Sequence, residues 1–191
     1  MKHYTKNIII VACILGGIFY MLYATGGSLI QKFIPDTQVA SNTKQNSAMA
    51  VGSTIPYFDL YTLDQTKIST TDLKGYPVLI TFWATWNSDS VDQIKILDDY
   101  TKQYGKTNRL LPVRIVTINS QEPASTAGAL IKRGGYILDV LSDQSGIVGT
   151  EFGIKTLPTS FFIDKNGIIK NISVGTLSEK EIVDKLDTII N

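Results

Sequence analysis

The stretch Tyr76-Pro77-Val78-Leu79-Ile80-Thr81-Phe82-Trp83-Ala84-Thr85-Trp86-Asn87-Ser88-Asp89-Ser90 decides how this chain is read. Tyr76 to Thr85 is a continuous, mostly apolar run of the kind found in a strand covered on both faces. Behind it, Val91, Ile94, Leu97, Tyr100 and Tyr104 recur at spacings of three and four, which predicts a helix stopped at Gly105. Between the two lie Asn87, Ser88, Asp89 and Ser90. Asn, Ser and Asp are residues whose short polar side chains satisfy the unpaired N–H groups of a helix start. Ser90-x-x-Gln93 is itself a capping-box pattern.

Downstream the alternation continues. Leu110 to Asn119 reads as a strand rich in Val and Ile, and Ala124 to Arg133 as a short helix opened after Pro123 and closed by Gly134-Gly135. Gln144 to Phe152 reads as a further helix. Thr159–Ile163 and Ile168–Val174 are β-branched or aromatic strands joined at Asp164-Lys165-Asn166-Gly167, where Asn-Gly is a strong hairpin signal. The last helix opens on Ser178-x-x-Glu181 and is expected to bury Ile182, Val183, Leu186, Ile189 and Ile190. The order strand, helix, strand, helix, hairpin, helix predicts an α/β domain with a central mixed sheet and helices on both faces.

Upstream, residues 1–6 carry Lys2 and Lys6, and residues 7–31 contain no charge. A helix crosses a bilayer with roughly 20 apolar residues, so residues 8–30 predict one N-terminal transmembrane helix that serves as a signal anchor. The lysines before it place the N-terminus in the cytoplasm and the rest outside. Two other readings stay open: cleavage near Ala24-Thr25-Gly26, and lipidation at Cys13 after Ile10-Val11-Ala12. Residues 32–51, rich in Asn, Ser, Thr, Gln and Ala, read as a flexible tether, and residues 52–191 as the extracytoplasmic domain.

Composition excludes several functions. The 191 residues hold 18 Lys and Arg against 17 Asp and Glu with no basic block, which argues against a nucleic-acid partner held through phosphates. Cys13 is the only cysteine and His3 the only histidine. The domain therefore has no Cys or His for a zinc site, a haem ligand, a nucleophile or a general base. No cofactor or metal is expected. A calcium site from Asn87, Asp89 and Asp92 would lack the glycine turn and distal Glu of a calcium loop.

Four separated blocks carry a family likeness: Gly52-Ser53-Thr54-Ile55-Pro56-Tyr57-Phe58-Asp59-Leu60, Asp72-Leu73-Lys74-Gly75, Phe82-Trp83-Ala84-Thr85-Trp86 and Thr156-Leu157-Pro158-Thr159. Together they resemble the membrane-tethered thioredoxin-like proteins of the TlpA/ResA type, across roughly Gly52 to Ile190. The resemblance implies a thioredoxin fold with the family's extra helix and strand inserted in Ser120–Val140. It also implies a cis bond at Leu157-Pro158 and a groove for an extended substrate segment beside that proline. Members reduce disulfides outside the cytoplasmic membrane, often during cytochrome c maturation.

This chain departs from the family at its centre. The family's Cys-x-x-Cys is replaced by Asn87-Ser88-Asp89-Ser90, and a proton-handling glutamate of some relatives by Gln93. Thiol exchange needs a thiolate whose pKa is lowered at the helix N-terminus, and neither an amide nor a hydroxyl substitutes for it. No catalytic residue is expected. A binding groove would use Trp83, Trp86, Asn87, Ser88, Thr156, Leu157 and Pro158, and needs no thiol. Three functions compete: a redox-silent adaptor for an extracytoplasmic polypeptide, a participant in thiol–disulfide exchange that uses a partner's thiols, and a structural subunit of a membrane complex.

Overall fold

The computed structural model describes residues 49–105 and 113–190. The expected anchor, Cys13 and nearly all of the tether lie outside them. Among the described residues, no helix is long and apolar enough to cross a membrane.

Strand β3 (Val78–Trp83) is the centre of the sheet, and all six of its residues are buried. It lies parallel to β4 (Arg114–Ser120), which lies parallel to β5 (Asp139–Asp143). On its other side β3 pairs antiparallel with β6 (Thr159–Ile163), and β6 with β7 (Ile169–Val174). An N-terminal hairpin, β1 (Asp59–Thr62) and β2 (Lys67–Ser69), adds to the outer edge of β5. The seven-stranded order is β2-β1-β5-β4-β3-β6-β7. Among the described residues four α-helices accompany the sheet: α1 (Ser88–Tyr100), α2 (Ala124–Gly134), α3 (Ile147–Glu151) and α4 (Glu179–Ile190).

Alternation along β3 divides the core in two. Val78, Ile80 and Phe82 face a layer with Phe58, Phe152 and Phe161. There the rings of Phe82 and Phe152 lie 5.0 Å apart and those of Phe152 and Phe161 5.1 Å apart. Leu79 and Trp83 face the layer formed by Ile94 and Leu97 of α1, Ala127 and Leu130 of α2, and Ile182, Leu186 and Ile189 of α4. Both faces are thus covered, as expected, but unequally. The steps β3-α1-β4 and β4-α2-β5 cross the sheet in one direction, and right-handed crossovers then put both helices on one side. Short α3, a 3₁₀ turn at Thr70–Leu73 and the entering segment around Ile55 cover the other side.

Several boundaries differ from those expected. The β1–β2 hairpin was not anticipated, because its strands are three and four residues long and only half-buried on one face. The described part of the second strand begins at Arg114 rather than Leu110 and runs through Ser120. Regular α1 ends at Tyr100 and widens into a π turn over Thr101–Gly105, where the Thr101 hydroxyl donates to the Leu97 carbonyl at 2.7 Å. The helix expected from Gln144 shrinks to α3, because Gly146 (φ 72°) turns the chain left-handed first. In the hairpin after β6 only Gly167 takes positive φ, and the Asp164 carboxylate accepts from the N–H groups of Asn166 (2.8 Å) and Ile168 (3.0 Å). The α4 capping box forms, with the Glu181 carboxylate accepting from the Ser178 N–H at 2.9 Å. Val183 and Ile190 are only half-buried.

Candidate functional site

The site lies where β3, β4 and β5 end, at the N-terminus of α1. Trp83 closes β3 and is fully buried, and the chain turns through Ala84-Thr85-Trp86 to Asn87. Asn87 is the N-cap of α1: its extended backbone (φ −105°, ψ 116°) lets its side-chain oxygen accept from the Ser90 N–H at 2.8 Å. That bond satisfies one of the orphan donors every helix start exposes. Asp89 in the first turn adds a favourable negative charge. Ser90 is therefore the third helical residue. Its side chain is fully buried and its hydroxyl has no partner among the described residues. The capping box read from Ser90 and Gln93 does not form, since Asn87 already occupies the cap. Gln93 is instead buried and accepts from the Leu177 N–H at 2.5 Å, tying α1 to the segment before α4.

A second clamp holds the turn from the side. Glu122, in the loop after β4, is 6% exposed. Its carboxylate accepts from the Thr85 N–H at 2.9 Å, the Thr85 hydroxyl at 2.6 Å and the Asn119 amide at 2.7 Å. Three donors on one buried carboxylate make a strong, charge-assisted anchor. They fix the residue before Trp86 without any cross-link in the turn.

Beside the turn opens a groove of about 180 Å³, lined in part by Trp86, Ser120, Gly149, Ile154, Lys155 and Leu157. Trp86 is 68% exposed. The Leu157-Pro158 bond is cis. Among the described residues neither the N–H nor the C=O of Leu157 makes a hydrogen bond. The Thr156 carbonyl, by contrast, accepts from the Thr159 hydroxyl at 2.7 Å, and the Pro158 carbonyl from the Gly175 N–H at 2.9 Å.

The residues singled out from sequence thus take different places. Trp86 and Leu157 line the groove. Asn87, Ser88 and Thr156 lie next to those two in sequence but do not line it. Trp83 is core, packed in the layer of Ile94 and Leu97, and Pro158 is buried behind Leu157. Trp83 lies inside the apolar run read as a buried strand and Trp86 just beyond it, and the structure puts the one in β3 and the other in the exposed turn. Ser120, Gln121, Glu122, Gly149 and Lys155 were not foreseen, since they reach the site only through the pairing of β3, β4 and β5.

Fold and corner together define a thioredoxin-like domain. Residues 51–172 match the AhpC/TSA family, and the chain belongs to that thioredoxin-like family. Among its relatives is the thiol-disulfide oxidoreductase ResA of Geobacillus thermodenitrificans, 32% identical over 145 residues, which are 76% of this chain and 81% of the relative. Among solved structures, a thiol:disulfide interchange protein of the thioredoxin family from Chlorobium tepidum shares the fold. Its TM-score is 0.64 at 24% identity, covering 75% of this chain and 100% of that one. The exposed lipoprotein thioredoxin Etrx1 of Streptococcus pneumoniae matches with a TM-score of 0.58 at 27% identity, covering 70% of this chain and 99% of that one.

Proposed function

We propose that this protein is a membrane-tethered, extracytoplasmic binding module that holds an extended segment of a partner polypeptide in the groove beside Trp86, with no thiol chemistry of its own. The observation that carries the reading is the Leu157 backbone, whose donor and acceptor both stand open next to an exposed indole. An open backbone donor and acceptor beside the start of β6 can pair with an extended segment, and tryptophan is among the residue types that most often dominate an interface. Asn87 and Ser90, at the family's cysteine positions, are engaged as cap and core. The only cysteine of the chain, Cys13, precedes the domain. The likeness to a thioredoxin described as an exposed lipoprotein supports an extracytoplasmic setting, as do Lys2 and Lys6 before the uncharged segment.

A photo-crosslinker at Trp86, in the protein expressed in its own membranes, is expected to capture a discrete polypeptide partner. Trp86→Ala is expected to weaken that partner's binding about fivefold or more, which is roughly 1 kcal/mol. Because Trp86 is mostly exposed, the variant should stay folded. Unchanged affinity in a folded Trp86→Ala protein would remove the groove from the function. The ResA likeness also supports a second reading, in which the groove presents a partner's own thiols for exchange. Insulin reduction that depends on an added thiol partner and on Trp86 distinguishes it.

A further inference from the structure

Gln121, the residue after β4, holds a backbone conformation that its type rarely takes: at φ 57° it is left-handed. Among the described non-glycine residues only Gln65 shares this, and Gln65 lies in the turn between β1 and β2, outside the groove. Glycine enters that region freely, whereas a side chain crowds its own backbone there. Such a conformation persists only where the surroundings impose it. Here they do. The N–H groups of Gln121 (2.9 Å) and Gly146 (3.0 Å) both donate to the Asp143 carbonyl, and the next residue, Glu122, is clamped to Thr85 and Asn119.

The imposed conformation presents the side chain. Gln121 is exposed and lines the groove together with Trp86 and Leu157. Its side chain lies against the buried Gly146, where a Cβ would meet the amide nitrogen at 2.5 Å and Cγ at 2.8 Å. Only glycine at 146 leaves room for it. The Gln121 carboxamide has no hydrogen-bond partner among the described residues, so its two N–H donors and its carbonyl oxygen are open to the groove.

An extended segment that pairs with Leu157 uses the peptide groups of one edge only. Its alternate residues turn their N–H and C=O the other way. Those groups lose water when the segment is bound and need partners elsewhere in the wall. A carboxamide carries the same donor and acceptor as a peptide group. We infer that Gln121 reads the main chain of the bound segment, its carboxamide hydrogen-bonding one peptide group and adding affinity that does not depend on the segment's side chains. This rests on the groove reading above and adds how the groove holds a backbone beyond Leu157.

The test uses capped octapeptides selected from a random library on the immobilised full-length protein. Gln121→Ala and Gln121→Gly should each weaken the selected peptides about fivefold, the equivalent of one net hydrogen bond of about 1 kcal/mol. Stability should separate the two variants, because glycine relieves the left-handed strain that alanine retains. In urea the unfolding equilibrium constant of Gln121→Gly should lie about fivefold below that of Gln121→Ala. Equal stability would overturn the imposed conformation on which the inference stands. Ester substitution along one selected peptide, which deletes one backbone N–H at a time, gives the readout specific to the main chain. At one position the ester should weaken binding to the wild type but not to Gln121→Ala, whereas an ester opposite Leu157 should weaken binding to both. Esters that act alike on both proteins, or a loss in Gln121→Ala that follows one peptide side chain, would overturn the inference. So would unchanged affinity in both Gln121 variants alongside a loss in Trp86→Ala, which would leave the groove standing. Failure of folded wild-type protein to select any peptide would overturn the groove reading and this inference together.

Discussion

Replacing Glu122 by alanine tests what holds the corner in a protein without a disulfide there. The substitution removes the acceptor of three hydrogen bonds at once. The Thr85 hydroxyl is partly exposed and can turn to water. The Thr85 N–H and the Asn119 amide have less freedom, Asn119 being fully buried with its own oxygen already unpartnered. Orphaning a buried donor costs about 1–3 kcal/mol, so two of them, with the lost packing, predict a loss of about 3–5 kcal/mol. That is a large share of the roughly 5–15 kcal/mol that stabilises a typical domain. Glu122→Gln should cost less than alanine but more than nothing, since its amide restores one acceptor while turning an NH₂ toward donors. Urea denaturation of the full-length protein measures the size, and native-state hydrogen exchange at the Thr85 amide measures the place. A Thr85→Val double-mutant cycle isolates the hydroxyl contact. A loss below about 1 kcal/mol for Glu122→Ala, with Thr85 still protected, would refute the clamp.

Three further outcomes are expected. Ser90→Ala should raise stability by about 1 kcal/mol in the same denaturation assay, because it deletes a buried hydroxyl that has no partner; a destabilised variant would mean that the hydroxyl is satisfied. Asn87→Cys with Ser90→Cys should form an internal disulfide under mild oxidation, read as the loss of two titratable thiols relative to the reduced protein, since the two positions are N-cap and third residue of one helix; thiols that stay free would show the positions to be wrongly matched. The Asp164 carboxyl sits below the ordinary aspartate value: burial raises it, but the N–H groups of Ile168 and Asn166 and the ammonium of Lys170, 3.5 Å away, more than offset that. Its contribution is therefore complete above the unfolded value of about 3.9 and lost as pH falls through the lower folded value, so Asp164→Asn should lose stability at pH 7 and little near pH 2.

Local chemistry made much of the domain legible. The apolar run at Tyr76–Thr85 had to hold a central strand because such a run needs cover on both faces, although the strand itself is only the six residues Val78–Trp83, with Tyr76 exposed and Thr85 in the turn. A cap within Asn87–Ser90 was legible because short polar side chains beside an amphipathic run satisfy a helix start, but only the structure placed it at Asn87 rather than at Ser90. The hairpin at Asp164–Gly167 and the Ser178–Glu181 cap are likewise decided within a few residues of chain. The absence of Cys-x-x-Cys was plain from the sequence as well. The tertiary structure decided that of the two tryptophans named for the groove only Trp86 lines it, Trp83 being the last and fully buried residue of β3. It alone brought Glu122 to Thr85, 37 residues away, and Ser120 and Gly149 to one floor. Those contacts depend on the register of parallel strands, whose pairing is set by the packing of whole sheet faces and by crossover helices rather than by any residue's neighbours in sequence. Capping and strand burial are short-range demands that a chain displays in its own order, whereas a groove exists only between segments that folding brings together.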